Sequence, residues 1–199
     1  MPARTRAVFI FLIGLAALVA AAAIYLLMQP EAPPVPERAI VEAKFSMTDQ
    51  DGKKVSEADF AGKAMLVFFG FTNCPDVCPL TLQKIADALT DAPDIKGKLV
   101  PIFISVDPER DTPEKMKAYA AYFSPEIRAL SGTPEETKAA LSAFKAYAQK
   151  VPQPDSAMGY TMDHSSFIYL YGADGNFVTA LDPGMDVGKL AAALQQNVK

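Results

Sequence analysis

Two short apolar runs constrain the fold of this chain more than any other feature of its sequence. Met65–Phe71 (MLVFFGF) and Leu99–Val106 (LVPIFISV) are almost continuously apolar and rich in aromatic and branched residues. Runs of this length predict strands that are buried on both faces, as in the centre of a parallel sheet. A segment with helical spacing follows each run, so the sequence predicts a layered α/β domain.

Shorter signals complete the predicted domain. Val151–Asp163 contains prolines and has no clear period, which predicts a long irregular loop inserted before the last, antiparallel strands. A sheet that changes from parallel to antiparallel, with two cysteines just after its first central strand, is typical of a thioredoxin-like domain. The other predicted elements are an N-terminal hairpin over Lys44–Phe60, helices over Leu80–Leu89, Thr112–Phe123, Thr133–Tyr147 and Val187–Val198, a strand over Ile127–Leu130, and a hairpin of Phe167–Tyr171 with Phe177–Leu181.

The N-terminal segment predicts one transmembrane helix. Val8–Met28 contains no charged residue, and as a helix it is about 30 Å long, enough to cross the apolar core of a bilayer. Arg4 and Arg6 precede it, and positive charge on that side places the N-terminus in the cytoplasm and the rest of the chain outside. The alternative is a cleaved signal peptide with its cleavage site in Ala20–Ala23, but the apolar region of a signal peptide is usually shorter.

The expected organisation has three parts: residues 1–28 as the membrane anchor, residues 29–38 as a proline-rich linker, and residues 39–199 as a thioredoxin-like domain. The linker, QPEAPPVPER, predicts an extended spacer. The expected location is the bacterial inner membrane, with the C-terminal domain in the periplasm. The net charge of −4 argues against nucleic acid as a partner, and the 50% hydrophobic content excludes a disordered chain.

The two cysteines, Cys74 and Cys78, are four positions apart at the predicted start of a helix. Their Cβ atoms are then about 5–6 Å apart, which suits either a disulfide or two bonds to one metal ion. A helix N-terminus also favours the thiolate form of a cysteine. In an oxidising compartment the pair is a structural disulfide, a redox couple or a pair of metal ligands. A structural disulfide that closes so small a loop stabilises a fold little.

His164, the single histidine, ends the predicted loop before the strand Phe167–Tyr171. In a thioredoxin-like fold this loop faces the cysteine turn. Two thiolates and one imidazole form a soft ligand set that suits copper and does not complete a closed four-coordinate zinc site. Met158 and Met162 lie in the same loop, and we expect them to be packing residues rather than auxiliary ligands.

Two aspartates follow the second buried strand. Asp107 lies directly at the carboxyl end of that strand, where open α/β sheets place their functional crevice. We expect Asp107 to orient the metal ligands or to help dock a partner beside them. For Asp111 we expect a turn and helix-capping role.

Three blocks of the sequence, GFTNCPDVCP, SVDPERDTPE and DHSSFIYL, resemble the SCO/SenC family of membrane-anchored copper proteins. The likeness covers about residues 39–199 and extends to the anchor. It implies a thioredoxin-like fold, a copper site formed by Cys74, Cys78 and His164, and a role in maturing the dinuclear copper centre of cytochrome c oxidase subunit II. Asn73 departs from the many members that carry His before the first cysteine, and we do not expect it to be a ligand.

The leading hypothesis is a copper metallochaperone that binds one ion, as Cu(I) or Cu(II). Its expected partners are cytochrome c oxidase subunit II, other copper carriers and the membrane. The alternative is a thiol–disulfide oxidoreductase in which Cys74 and Cys78 form a redox disulfide that keeps the acceptor's cysteines reduced. The CxxxC spacing argues against this alternative. The lack of a proline directly before the strand Phe167–Tyr171 argues against it as well. The sequence contains no specific motif of a peroxide-reducing thiol enzyme.

Overall fold

A mixed sheet forms the centre of the protein, which the computed structural model describes over residues 41–199. Seven of the strands form this sheet in the order β2-β1-β5-β4-β3-β8-β9, and β6 and β7 form a separate hairpin. In chain order the strands are β1 (Ser46–Asp49), β2 (Lys54–Ser56), β3 (Ala64–Gly70), β4 (Leu99–Ser105), β5 (Arg128–Ser131), β6 (Ala148–Gln153), β7 (Gly159–His164), β8 (Ile168–Tyr171) and β9 (Phe177–Leu181). The helices are α1 (Val77–Asp91), α2 (Pro113–Phe123), α3 (Pro134–Ala143) and α4 (Val187–Asn197), with short 3-10 turns at Glu57–Phe60 and Pro93–Ile95.

Strand β3 is the axis of the sheet. It pairs in parallel with β4 on one side and antiparallel with β8 on the other, and β4 pairs in parallel with β5. Every residue of β3 is buried, because it has a strand on each side and packing on both faces. The two predicted central strands and the predicted change from parallel to antiparallel pairing are therefore confirmed.

The prediction of an irregular loop over Val151–Asp163 is wrong. The segment forms most of the β6–β7 hairpin, whose register runs from Ala148 opposite His164 to Gln153 opposite Gly159. Nearly all of β6 is exposed to solvent, so neither face imposes the alternation of apolar and polar residues by which strands are recognised. His164 is consequently the last residue of a strand rather than part of a loop.

Helix α3 is shorter than predicted, ending at Ala143 instead of near Tyr147. Lys145 adopts a left-handed backbone with φ of 52°, and the N–H of Ala146 donates to the carbonyl of Leu141 at 2.9 Å. This arrangement closes a helix end and is usually marked by glycine, which the sequence lacks at this point. The ring of Phe144, the residue that follows the helix, is fully buried in the core.

The predicted anchor (residues 1–28) and linker (residues 29–38) lie outside the described residues. Within residues 41–199, none of the helices combines the length and apolar character that crossing a bilayer requires.

Gly70, the last residue of β3, makes room for the neighbouring elements. A Cβ placed on it would lie 2.8 Å from the Sγ atom of Cys78 and 2.8 Å from Cε2 of Phe103. Both side chains are fully buried and packed, so neither can withdraw freely. The absence of a side chain at Gly70 therefore allows α1 to bring Cys78 against the end of the central strand.

We expect Gly70→Ala to lower the free energy of unfolding by about 1–3 kcal/mol, because the added methyl group overpacks the core against Cys78 and Phe103. Urea denaturation followed by circular dichroism measures this loss. Gly188→Ala is the matched control, since Gly188 is exposed in α4 and its added Cβ would meet Asp186 Oδ1 only at 3.6 Å. Equal stabilities of the two variants would contradict this account of Gly70.

Candidate metal centre

The cysteine turn connects β3 to α1 and presents the two sulfurs differently. The amide of Cys74 donates to the carbonyl of Phe71 at 3.3 Å, which closes the turn, and α1 then begins at Val77. Cys78 lies in the first turn of the helix and is fully buried, whereas Cys74 is half-buried. Both are free thiols. The helix start near Cys78 agrees with the prediction from the sequence.

The buried carboxylate of Asp111 holds the cysteine turn in place. Asp111 accepts hydrogen bonds from the Thr72 hydroxyl at 2.6 Å, from the Thr72 amide at 3.1 Å and from the Ser105 hydroxyl at 2.6 Å. Burial raises the pKa of the Asp111 carboxyl, and these hydrogen bonds oppose that rise. Asp111 thus ties the residue that precedes Asn73 and Cys74 to the end of β4.

The expectation that Asp111 caps a helix is wrong. The cap of α2 is Thr112, whose hydroxyl accepts a hydrogen bond from the Lys115 amide. Asp111 immediately precedes this cap in the chain. Its contact with Thr72 spans 39 positions and has no local signal in the sequence.

His164 is brought to Cys78 at the end of β7. Its Nδ1 lies 2.9 Å from the carbonyl oxygen of Ser165, which can only accept, so Nδ1 carries the hydrogen. In the neutral imidazole this tautomer leaves the other ring nitrogen, Nε2, as the acceptor or ligand, and Nε2 lies 3.6 Å from the Sγ atom of Cys78. The rings of Phe71 and Phe68 meet the imidazole edge to face, with centroids at 5.8 and 6.3 Å.

The two thiols have opposite tendencies to ionise. Hydrogen bonding with the Cys78 thiol lowers the pKa of Cys74 to about 4, and the backbone amide of Cys78 contributes to this through its contact with Cys74 Sγ at 3.4 Å. The same interaction, together with burial, raises the pKa of Cys78. In the metal-free protein Cys74 is therefore the thiolate and Cys78 keeps its proton.

The donor atoms suit one soft metal ion. First-row metals bind imidazole nitrogen and thiolate sulfur at about 2.0–2.3 Å, so two such donors on one ion lie roughly 3.5–4 Å apart. The 3.6 Å between Cys78 Sγ and His164 Nε2 falls in that range. Among residues 41–199, no group of three or more His, Cys, Asp or Glu side chains is arranged so that it could hold a metal ion, so the contact between Cys78 and His164 is the part of the predicted site that the structure shows.

An open pocket of about 320 Å³ lies over the cysteine turn, lined among others by Cys74, Met162 and His164. It gives an incoming group access to the half-buried sulfur. Met162 lies at this pocket, whereas Met158 is exposed near the tip of the hairpin. Asn73 accepts a hydrogen bond from the Thr72 hydroxyl.

Asp107 is nearly completely buried, with 1% of its surface exposed. Its carboxylate accepts hydrogen bonds from Arg110 Nε at 2.5 Å and from the Tyr160 hydroxyl at 2.8 Å. These partners connect it to the strand that ends at His164, and its hydrogen bonds do not reach the sulfurs or the imidazole. A role in ligand orientation or partner docking stays a prediction.

The strand order, and the thiols placed after the first central strand, define a class: a thioredoxin-like domain with two cysteines and a histidine at its functional edge. Within this class, the chain belongs to the SCO1/SenC family, whose sequence profile matches residues 34–199. The resemblance noted in the three sequence blocks is thereby confirmed.

Two curated relatives show how much of the chain the likeness covers. The chain is 37% identical over 163 residues to Protein SCO1 homolog 1, mitochondrial, of Arabidopsis thaliana. It is 37% identical over 161 residues to Protein SCO1 homolog, mitochondrial, of Homo sapiens. These alignments cover 81% and 78% of this chain but only 48% and 52% of the relatives, so the chain spans about half their length.

Solved structures share the fold. The copper-bound structure of ScoI from Bradyrhizobium japonicum is 43% identical, with a TM-score of 0.72, and the match covers 79% of this chain and 99% of that one. BsSco, described as a member of the Sco family of cytochrome c oxidase assembly proteins with a disulfide switch, is 26% identical with a TM-score of 0.63. That match covers 83% of this chain and 98% of BsSco. The thioredoxin-like fold predicted from the sequence is confirmed.

We expect Cys74 to react as a thiolate across the neutral range. With a pKa of about 4, Cys74 is fully deprotonated well below neutrality, so its alkylation rate should stay level from about pH 6 to about pH 8. An ordinary thiol becomes more reactive through the same range. The measurement is the pH dependence of iodoacetamide alkylation, with the modified residue identified by mass spectrometry.

Cys78→Ala provides the control for this pH profile. Removing the thiol that hydrogen-bonds to Cys74 should move the midpoint of Cys74 alkylation to higher pH. A wild-type midpoint between about pH 8 and about pH 9 would contradict the assignment of Cys74 as the thiolate.

Proposed function

We propose that this protein is a membrane-anchored copper metallochaperone. In this proposal Cys74, Cys78 and His164 bind one copper ion, which is passed to the dinuclear copper site of cytochrome c oxidase subunit II. The observation that carries the proposal is the approach of His164 Nε2 to within 3.6 Å of Cys78 Sγ. The two residues are 86 positions apart in the chain, so the fold itself creates the contact.

The chemistry of the donors supports copper over zinc. Thiolate sulfur is a soft donor that favours Cu(I), and imidazole accompanies it readily. A structural zinc site needs four protein ligands, whereas the described residues offer two sulfurs and one imidazole here. The copper-bound ScoI of Bradyrhizobium japonicum, at 43% identity, supports the same choice.

The geometry also supports release of the ion. A chaperone must hold its cargo tightly and yet surrender it to the acceptor. Cys78 holds the ion from the buried side, while Cys74 and His164 lie at the open pocket. A thiolate of the acceptor can therefore enter the incomplete coordination sphere from the pocket before the donor's ligands leave.

Anchoring completes the proposal. Residues 1–28 hold the protein in a bacterial inner membrane, and residues 29–38 separate the domain from the periplasmic surface. The apolar run Val8–Met28 and the preceding Arg4 and Arg6 support this arrangement. Cytochrome c oxidase subunit II is the acceptor in the proposal, and anchoring would confine the search for it to the membrane surface.

A thiol–disulfide oxidoreductase is the second candidate. It is favoured by the thiolate character of Cys74, which has a pKa of about 4 beside a free partner thiol. Such a thiolate can attack a disulfide in an acceptor, and Cys78 would then resolve the mixed disulfide. The electrons come from the two thiols of this chain, which end as a Cys74–Cys78 disulfide, and the acceptor's cysteines are released reduced.

We expect Cys74→Ser, Cys78→Ser and His164→Ala each to abolish stable one-to-one copper binding, because each variant loses one of the three donors. Copper and protein are quantified after the full-length chain has been loaded under reducing conditions in detergent and passed through a desalting column. Met162→Leu is the control: it removes a thioether from the same pocket and should retain one copper ion per chain.

Full retention of copper by the His164→Ala protein would remove the histidine from the site. The same variants separate the two candidate functions in cells. If His164→Ala sustained assembly of the oxidase while Cys74→Ser did not, thiol reduction would replace copper delivery as the function.

A further inference from the structure

The β6–β7 hairpin carries His164 but has little packing of its own. β6 has one half-buried and five exposed residues, and β7 is at most half-buried along its length. Neither strand pairs with the seven-stranded sheet. Apart from the packing of the imidazole against Phe68 and Phe71, the hairpin is therefore held mainly by a small number of specific contacts.

Those contacts converge on the loop that follows β4. Apart from the approach of His164 to Cys78, the hydrogen bonds that join the hairpin to distant parts of the described chain go to the segment Asp107–Arg110. The Tyr160 hydroxyl donates to Asp107 at 2.8 Å. Arg110 Nη1 donates to the carbonyls of Tyr160 at 3.1 Å and Met158 at 3.4 Å.

Arg110 joins the two halves of this cluster. Its Nε pairs with the buried Asp107 carboxylate at 2.5 Å, and its guanidinium carbon lies 3.7 Å from the centre of the Tyr160 ring. Planar stacking together with several donors in a fixed fork is specific to arginine, so a lysine can replace its charge but not its geometry. Lys150 also lies over the Tyr160 ring at 4.2 Å and pairs with Glu109 at 2.6 Å, but this pair is exposed.

Tyr160 is connected to His164 by the strand itself. The two residues are four positions apart in β7, so their side chains project from the same face. At about 3.3 Å per residue, the Tyr160 contact lies roughly 13 Å from the histidine along the strand. The contacts of Tyr160 with the Asp107–Arg110 segment therefore determine the direction of β7. They also determine which way the face that carries Tyr160 and His164 is turned.

We propose that Asp107, Arg110 and Tyr160 form a hairpin clamp that holds His164 over Cys78. The three are positioning residues, because they act on the metal centre through the hairpin and do not touch the ion. The importance of the hairpin clamp for copper binding rests on the proposed function, whereas its effect on the histidine does not. Loosening the clamp lets the hairpin, and with it the imidazole, move away from the sulfurs.

The test compares the double variant Arg110→Lys/Tyr160→Phe with the wild type in the full-length chain. Lysine keeps a positive charge beside the buried Asp107, and phenylalanine keeps the ring, so the links to the hairpin are weakened without leaving the carboxylate unpaired. Tyr122→Phe is the matched control, since Tyr122 is 82% exposed on α2 and removed from the hairpin. If the double variant fails to fold, Tyr160→Phe alone serves as the milder change.

The first measurement is made without metal. His164 is the single histidine, so its imidazole resonances are unambiguous in an NMR spectrum. We expect the double variant to show a more mobile imidazole and faster amide exchange in β6 and β7, while the amides of β3 keep their protection. Uniformly faster exchange in β3 and the hairpin would indicate a purely stabilising role and overturn the proposal.

The second measurement is copper affinity by competition with a Cu(I) chelator. We expect the double variant to bind about 10- to 100-fold more weakly, the effect typical of lost outer partners of metal ligands, and Tyr122→Phe to match the wild type. Unchanged imidazole mobility and unchanged affinity in the double variant would overturn the hairpin clamp. A mobile imidazole in the double variant, in a protein whose wild type binds no copper, would support the clamp and contradict the proposed function.

Discussion

The contact between Cys78 and His164 is the constraint on which the rest of the site depends. Each residue is placed by a different part of the fold. The space left by Gly70 admits the Cys78 sulfur to the end of the central strand, and the β6–β7 hairpin delivers the imidazole from outside the sheet. The hydrogen bond from Nδ1 to the Ser165 carbonyl then selects the tautomer that leaves Nε2 free. The two ligands are thus far apart in the sequence. Their contact does not come from regular helix–helix packing or from pairing of two strands.

Near this pair, two of the buried carboxylates have separate roles. Asp111 holds the cysteine turn through Thr72, whereas Asp107 holds the histidine hairpin through Tyr160 and Arg110. Both lie in one short segment after β4, so the same loop ties down the two halves of the site. Burial makes these hydrogen bonds valuable, because a buried carboxylate or hydroxyl left without a partner costs about 1–3 kcal/mol. The loop after β4 therefore positions the cysteine turn and the hairpin relative to each other.

How far the sequence predicted this structure depended on whether a feature leaves a local pattern. The central strands were predictable because burial on both faces makes them continuously apolar, and α1 was predictable because its apolar residues have helical spacing. The hairpin was missed because its exposed strands have no buried face to impose an alternation. The end of α3 was misplaced because Lys145 stands where glycine usually marks the turn. The link between Asp111 and Thr72 joins distant segments, and a single sequence has no local signature for such a contact.

X-ray absorption spectroscopy of the copper-loaded, full-length chain tests the central claim most directly, because it counts the sulfur and imidazole neighbours of the ion. The account predicts that the ion binds two sulfur atoms and one imidazole nitrogen, with no second imidazole, since the chain has two cysteines and one histidine. If the ion in the wild-type protein had only sulfur neighbours and showed no imidazole scattering, this result would contradict the account.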